Sequence, residues 1–248
     1  TFVHAEPEGE QATVPATRQL FFRVHPLNRF QVLCRILDMP ARDRVAVFRR
    51  TKRGVERTIK GLVDHGYRAG ALHGDMPQVT REKVMRQFRK GKLDVLVCTD
   101  VAARGLDIAG LSHVINYDTP EDDRAYVHRI GRTGRAGAAG VALTFVAWNE
   151  EDTAELIRRR LDLTDEPVHE VYSTSPLLTE LFDLPTVEAA AEARAAANPA
   201  PKRKQADADV PAHRRSRSAA RRRRRRRADG PPTGAVAAGE PRPSAAAG

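Results

Sequence analysis

The chain has 248 residues, of which 41% are hydrophobic and 30% charged, which is enough apolar material for one sizeable core. It contains no run of about 18 apolar residues and no charged-then-apolar leader, so neither a membrane span nor a secretory signal is expected. The net charge of +10 arises in residues 200–248, which carry 14 Lys and Arg against 4 Asp and Glu, whereas the preceding residues sum to zero. A nucleic-acid surface outside that tail therefore requires local clustering of cations.

Strand-like and helix-like segments alternate along residues 18–165. Strands are predicted at 19–24, 44–48, 68–72, 94–98, 113–117 and 141–146. Helices are predicted at 26–37, 51–65, 77–91, 101–104, 123–130 and 150–163, where Thr51 can cap the second helix and Gly66 can end it. Alternation with short connections indicates an α/β fold, an open parallel sheet with helices on both faces.

The two ends of the chain lack this alternation. Residues 1–17 are interpreted as a linker or a leading edge strand. After residue 165 the pattern weakens, and residues 166–197 are predicted to form a weakly structured extension, with a short helix at 176–182 and a transient Ala-rich helix at 187–197. In residues 198–248 no apolar face offsets the entropy of ordering, so a disordered Arg-rich tail is predicted.

Two cysteines, Cys34 and Cys98, lie in apolar segments. The simplest interpretation is a pair of free, buried thiols in a reducing compartment, so a cytoplasmic protein is expected. No metal site is predicted within the chain.

The stretch from residue 95 to residue 137 concentrates the polar residues that suit a ligand site. Two strand-like runs end in polar turns, and open parallel sheets bind their ligands at the carboxyl ends of strands. Arg129, Arg132 and Arg135 follow at intervals of three with glycines between them. Guanidinium groups bind phosphate oxygens bidentately, and glycines allow the backbone to come close. Arg129 could equally be a structural ion-pair residue, and both interpretations stay open.

Four segments carry a family resemblance: TDVAARGLD at 99–107, HRIGRTGR at 128–135, HGDMPQVTRE at 73–82 and, more loosely, VAVFRRT at 45–51. They resemble motif V, motif VI, the segment with the QxxR element, and motif IV of the C-terminal RecA-like domain of DEAD-box RNA helicases, in superfamily 2. Their order and spacing fit across roughly residues 18–146. The basic pair Arg49-Arg50 departs from the usual motif IV, and these arginines could contact phosphate or simply be solvated.

The resemblance implies a set of catalytic and ATP-binding residues. Arg132 and Arg135 would reach the ATP phosphates, where positive charge stabilises the transition state when two domains close. Asp107, with Gly105 beside it, would accept hydrogen bonds from the ribose. His128 would link motif VI to the partner domain, although a purely structural histidine is a competing interpretation.

The resemblance also implies an RNA surface that contacts phosphates and 2′-hydroxyls and reads little sequence. The residues assigned to it are Thr51, Gly74, Gln78, Arg81, Thr99 and Arg104.

Several parts of a complete helicase have no counterpart in this sequence. There is no GxxxxGK[ST] phosphate loop, since the only Gly-Lys pair, Gly91-Lys92, is followed by Leu93. No Asp-Glu-Ala-Asp run is present to supply a magnesium ligand. We therefore expect half of an enzyme, with ATP as its nucleotide, Mg²⁺ held by an absent N-terminal RecA-like domain, and no activity from the chain alone.

The expected function is that of the second motor domain of an ATP-dependent RNA helicase, with RNA and the N-terminal domain as partners and no membrane association. Two alternatives remain: a stand-alone RNA-binding module whose affinity comes mainly from the tail, and a DNA-directed helicase of the same superfamily. Whether ribosomal or RNA-degradation assemblies recruit the protein does not follow from its residues.

Overall fold

A seven-stranded sheet in which every neighbouring pair is parallel forms the centre of the molecule. A computed structural model describes residues 17–104, 108, 110–134 and 139–198. The strands are β1 Thr17–Arg23, β2 Val45–Phe48, β3 Ala69–Leu72, β4 Val95–Cys98, β5 His113–Asn116, β6 Gly140–Val146 and β7 Val168–Glu170. Their order across the sheet is β3-β4-β2-β5-β6-β1-β7.

Helices follow almost every strand and cover both faces of the sheet. They are α1 Arg29–Leu37, α2 Lys52–Asp64, α3 Gln78–Arg89, α4 Asp100–Ala103, α5 Asp123–Ile130, α6 Glu151–Arg160, α7 Pro176–Phe182 and α8 Val187–Ala197, with a 3-10 turn at Trp148–Glu150. As predicted, Thr51 caps α2, because its hydroxyl accepts a hydrogen bond from the Gly54 N–H at 3.1 Å. Gly66 adopts a φ of 83° just after that helix.

The central strands β2, β4 and β5 are buried on both faces, which places a hydrophobic core on each side of the sheet. On β2, Val45 and Val47 point into the cluster that includes α1, α2 and α7, whereas Ala46 and Phe48 point into the cluster that includes α3 and α4. A third cluster joins β1 and β6 to α5 and α6. The α/β parallel-sheet prediction is therefore confirmed.

Residues beyond 165 contribute one strand that the sequence did not predict. Strand β7 pairs in parallel with Phe21–Arg23 of β1 and extends the sheet at its edge. It is only three residues long, and none of them is fully buried. A run this short has no hydrophobic periodicity of its own, so its conformation depends on the neighbouring strand.

Helix α8 is held to the domain by a polar contact. Its residues are mostly alanine, and only Ala190 is buried. Arg194 forms an ion pair with Asp38 at the end of α1, and its guanidinium lies 4.9 Å from the Tyr67 ring centroid. Because an isolated helix of this length is marginal in water, this contact stabilises α8.

The two cysteines are free thiols, as predicted; Cys98 is buried and Cys34 half-buried. Burial and the charge of Asp38 raise the pKa of Cys34 to about 12, and burial and the charge of Asp100 raise the pKa of Cys98 to about 12. Both thiols therefore stay protonated near neutral pH. In the part of the chain that the structure describes, no helix is long and apolar enough to cross a membrane, and no cluster of three His, Cys, Asp or Glu could hold a metal ion.

A buried histidine makes stability depend on pH. His113 opens β5 with 6% of its surface exposed, and burial lowers its pKa from 6.5 to about 4. Between these values only the unfolded chain binds the proton, so stability falls as pH drops below about 6.5. We expect the free energy of unfolding in urea to decrease by about 2 kcal/mol from pH ~7.5 to pH ~5. In His113→Gln most of that decrease should vanish, and an unchanged decrease in the variant would assign the effect to other groups.

Candidate functional site

The carboxyl ends of four neighbouring strands, β3, β4, β2 and β5, lie side by side at the same end of the sheet. Backbone hydrogen bonds continue past the strands: the Arg49 N–H donates to the Cys98 carbonyl at 2.8 Å, Tyr117 N–H to Phe48 at 3.1 Å, and Thr99 N–H to Leu72 at 3.2 Å. The turns that follow β2, β3, β4 and β5 are therefore fixed relative to one another. These turns contain most of the polar residues that the sequence singled out.

At the end of β2, Thr51 lies at the positive end of the α2 dipole. Its oxygen accepts from Gly54, which leaves its own hydroxyl proton free to donate to an anion. Lys52 beside it forms an ion pair with Asp75 of the turn after β3. The cap and the neighbouring turn thus share one exposed surface.

Gly74 lies in the turn after β3, and Gln78 and Arg81 lie in the first turn of α3. A Cβ at Gly74 would have no atom within 4 Å, so its backbone faces open space. Arg81 donates through Nη1 to the Gln78 side chain at 3.2 Å and through Nη2 to the Ala102 carbonyl at 3.1 Å. The second bond connects α3 to α4, so the QxxR segment and the motif V segment form one surface.

Thr99 and Arg104 flank α4. Thr99 is 9% exposed, and its carbonyl accepts from the Ala102 and Ala103 N–H groups, which fixes the start of the helix. Arg104 is exposed at the other end of α4. The predicted contact residues of this segment thus lie at the two ends of one short helix.

Arg129 is a structural ion-pair residue, which resolves the alternatives that the sequence left open. It is 2% exposed, and its Nε and Nη2 each donate to one carboxylate oxygen of Asp100 at 2.7 Å. Its Nη1 donates to the Asp118 carbonyl at 3.0 Å and to the Asn116 side chain at 3.3 Å. The guanidinium thereby fixes α5 against the ends of β4 and β5, with four of its five N–H groups occupied in a buried position.

Arg132 and His128 lie one helical turn apart beside that buried pair. Both line a narrow crevice with Asp100, Ala103 and Arg104. Arg132 is half-buried and His128 exposed, and neither forms an ion pair with any residue that the structure describes. The predicted contacts Gly105, Asp107 and Arg135 lie outside the described residues.

Gly140 allows the segment after Arg132 to pack against the sheet. A Cβ at this position would lie 2.4 Å from the Gly134 nitrogen and 2.3 Å from the Thr133 hydroxyl, which is too close for any other residue without movement. The Leu111 N–H also donates to the Arg132 carbonyl at 3.2 Å. The backbone that carries Arg132 is therefore tightly positioned.

An arginine–carboxylate network that the sequence did not reveal joins three distant segments. Arg29 donates to Glu150 at 2.6 Å, and Arg50 donates to the same carboxylate at 2.9 Å. Arg49 lies 3.3 Å from Asp118, and its guanidinium is 4.1 Å from the Tyr117 ring centroid. Arg49 and Arg50 are therefore bound to carboxylates, which corrects the interpretation that they are simply solvated.

Glu150 is the centre of this network. Burial acts to raise the pKa of Glu150, but the hydrogen bond and charge of Arg29, together with the Ala147 N–H and Arg50, lower it overall. Arg29 and Glu150 are 121 residues apart in the chain, so no local pattern could have identified the pair. The network fixes the turn after β2 and the start of α1 against the 3-10 turn.

Comparisons with known proteins agree on one family. Residues 28–137 match the helicase conserved C-terminal domain. The chain is 52% identical over 139 residues to the ATP-dependent RNA helicase CshA of Listeria monocytogenes, covering 56% of this chain and 27% of that protein. It is 43% identical over 168 residues to the DEAD-box ATP-dependent RNA helicase CshA of Bacillus licheniformis, covering 66% and 34%. The chain thus spans about a third of the length of these curated relatives.

Two solved structures are similar to this chain over nearly their whole length. The C-terminal domain of the DEAD-box protein Dbp5 is 32% identical with a TM-score of 0.61, covering 68% of this chain and 97% of that one. The E. coli DEAD-box protein SrmB, solved bound to the regulator of ribonuclease activity A, is 33% identical with a TM-score of 0.59, covering 65% and 93%.

The parallel sheet, the motif segments at its strand ends and these matches together define a C-terminal helicase domain of superfamily 2. Within that class, the chain belongs to the DEAD-box RNA helicase family and is similar to bacterial CshA.

Proposed function

We propose that this chain is the C-terminal motor domain of an ATP-dependent RNA helicase, which separates or remodels RNA duplexes together with an N-terminal RecA-like domain. The observation that carries the proposal is the placement of two groups around α4. Thr51, Gly74, Gln78, Arg81 and Thr99 lie on the turns and helix starts that follow β2, β3 and β4, while Arg132 lines the crevice that the Arg129–Asp100 pair also lines. Helix α4 is therefore proposed to be part of both the RNA-binding site and the ATP-binding site.

On the ATP side, Arg132 acts on the γ-phosphate. Its side chain is half-buried and has no ion-pair partner among the described residues, which suits a cation that meets an anion only when a second domain closes. Arg135 and Asp107 are proposed to serve the phosphates and the ribose, as the family resemblance implies. His128 on the same crevice contacts the partner domain.

Mg²⁺ would be held by the N-terminal domain, as the family resemblance implies. When bound there, the ion would neutralise phosphate charge. The residues of this chain contribute the guanidinium charge from the opposite side.

On the RNA side, the Thr51 and Thr99 hydroxyls, the Gly74 amide and the Arg81–Gln78 pair donate to phosphates of a single strand. The sequence of the RNA is read little, because such contacts follow the sugar–phosphate backbone. Strand separation follows when two closed domains hold one strand on a bent path that a continuous duplex cannot adopt.

The Arg129–Asp100 pair couples the two sides. It joins α5, which carries His128 and precedes Arg132, to the first residue of α4 directly after Thr99. A shift of Arg132 on phosphate release is thereby transmitted to the RNA turn. The direct test of the proposal is RNA-stimulated ATP hydrolysis by this chain joined to a phosphate-loop domain, with none from the chain alone.

A second candidate function, RNA binding by the tail, is favoured by the distribution of charge. All of the net charge of +10 lies in residues 200–248, including seven consecutive arginines at 221–227. We propose that the tail binds RNA through phosphates alone and adds affinity to the motor. The stand-alone module remains the alternative if the chain never joins an N-terminal domain.

Deleting residues 200–248 should remove most of the salt-sensitive affinity for single-stranded RNA. Each neutralised phosphate contributes a log–log salt slope of about −0.7 on single strands, and the remaining residues have no net charge. The measurement is a titration of labelled RNA at two salt concentrations. Deleting only residues 228–248, which hold a single arginine, is the matched control and should change little. Equal affinities and slopes with and without the whole tail would refute this role.

A further inference from the structure

A cleft of about 450 Å³ opens between α1 and α2 beside the ends of β2 and β5. It is large enough for a small ligand, since such sites occupy roughly 300–1,000 Å³. Its walls include Arg29, Arg49, Arg57, Phe30 and Tyr117. None of the motif residues assigned to RNA or ATP lines it.

Two glycines on one face of α2 create the space for two of these walls. A Cβ at Gly54 would lie 2.8 Å from the Arg49 Nε, and a Cβ at Gly61 would lie 2.6 Å from the Phe30 ring. Glycine in a helix costs about 1 kcal/mol relative to alanine. Gly61 therefore lowers the intrinsic stability of α2, but the absence of a side chain there allows the Phe30 ring to pack against the helix.

The cleft has more cationic than anionic side chains. Arg29, Arg49 and Arg57 line the cleft, and Asp118 is the one carboxylate among its lining residues. Glu150, which accepts a hydrogen bond from Arg29, lies outside the cleft. Arg29 is 7% exposed, and the Nε–H groups of Arg29 and Arg49 are buried without a hydrogen-bond partner. Arg57 is exposed and forms no ion pair within the described ranges. The two buried Nε–H groups have almost no accessible surface, so the exposed Arg57 guanidinium is the group in the cleft that an anionic ligand can reach.

The position of the cleft indicates which anion fits. Across the sheet, the turns after β3, β4 and β2 carry Gly74, Thr99 and Thr51, and the next strand in that order is β5. Neighbouring β-strands are about 4.8 Å apart, so Tyr117 and Asp118, which line the cleft at the end of β5, continue the row of proposed RNA contacts. An RNA strand that crosses these turns reaches the cleft directly after Thr51.

We propose that the cleft is an additional subsite for one nucleotide, with a phosphate on Arg57 and the outer edge of Arg49 and the base against Phe30. This inference rests on the proposed RNA-binding function. Its ligand chemistry, a phosphate joined to an aromatic base, could come from the bound RNA strand or from a free nucleotide. We assign the strand, because the cleft continues the row of strand-end turns.

The test uses the full chain with Arg57→Ala and a matched control, Lys60→Ala, which removes one exposed charge from the same helix outside the cleft. Affinities are measured for oligouridylates of about 4 and about 12 nucleotides at about 0.15 M ionic strength, where an exposed ion pair is only partly screened and the tail is the same in every variant. Arg57→Ala should weaken the longer oligonucleotide about fivefold and the shorter one little, a loss typical of one exposed ion pair. Lys60→Ala should change neither.

Four outcomes separate the subsite from the proposed function. Equal effects of Arg57→Ala and Lys60→Ala on the longer RNA overturn the subsite. If Arg57→Ala weakens the binding of free uridine monophosphate but not of the longer RNA, the cleft binds a free nucleotide, and the assignment to the RNA strand is wrong. If Arg57→Ala weakens the binding of an acidic peptide but of neither RNA nor uridine monophosphate, the assignment to the RNA strand is also wrong. Arg81→Ala is measured in parallel, and if it leaves both oligonucleotides unaffected, the RNA surface of the proposed function is itself wrong.

Discussion

Replacing Arg132 with alanine should lower RNA-stimulated ATP turnover about a thousandfold in a two-domain protein that contains this chain, because an arginine on the γ-phosphate contributes a factor of roughly 10³–10⁵. The side chain lines the crevice beside α4 and has no ion pair in the part of the chain that is described. Its loss should therefore remove charge from the transition state without disturbing the core.

The measurement is the steady-state rate of phosphate release with saturating RNA, together with far-UV circular dichroism. Arg124→Ala on the exposed surface of α5 is a matched control, since it removes the same charge outside the crevice, and it should retain most of the activity. A reduction of less than about tenfold in kcat for Arg132→Ala, with the fold intact, would contradict the assignment of this residue to the γ-phosphate.

Replacing Arg129 with alanine should instead destabilise the domain by about 3–5 kcal/mol, since it leaves the Asp100 carboxylate without its buried partner. The Asn116 side chain and the Asp118 carbonyl would lose their donor as well. Because native domains are stable by only about 5–15 kcal/mol, much of the stability should disappear. Urea unfolding near neutral pH measures the difference.

Two comparisons make this prediction specific. Arg132→Ala, three residues further along, should leave stability almost unchanged, because that side chain has no such partner among the described residues. Adding Asp100→Ala to Arg129→Ala should cost less than the sum of the two single changes, since it removes the unpaired charge. A loss below about 1 kcal/mol in Arg129→Ala would show that the pair does not stabilise the domain.

Much of the fold could be predicted because its signals are local. Periodicity located the helix at Asp123–Ile130 and the helix at Pro176–Phe182 without error, and the cap at Thr51 and the stop at Gly66 followed from residue type. The order of the strands could not be predicted, because it depends on pairings between distant segments. Strand β7 was missed for the same reason, as its conformation depends on its pairing with β1.

The site shows the same division between local and distant information. The motif segments identified the exposed residues, and the structure places Arg81 against Ala102 and His128 beside Arg132. The ion pairs that support them were not predictable, because each joins segments far apart in sequence. The sequence identified Arg129 as a candidate ion-pair residue, but nothing in it pointed to Asp100 as the partner.

The most direct test of the central claim replaces the matching C-terminal segment of the Listeria CshA relative, 52% identical over 139 residues, with this chain. If the chain is the C-terminal motor domain of a DEAD-box helicase, the chimera should hydrolyse ATP and RNA should stimulate it. The chain alone and the CshA N-terminal portion alone should release no phosphate above background. A folded chimera without RNA-stimulated hydrolysis, or RNA-stimulated hydrolysis by the isolated 248-residue chain, would contradict the account.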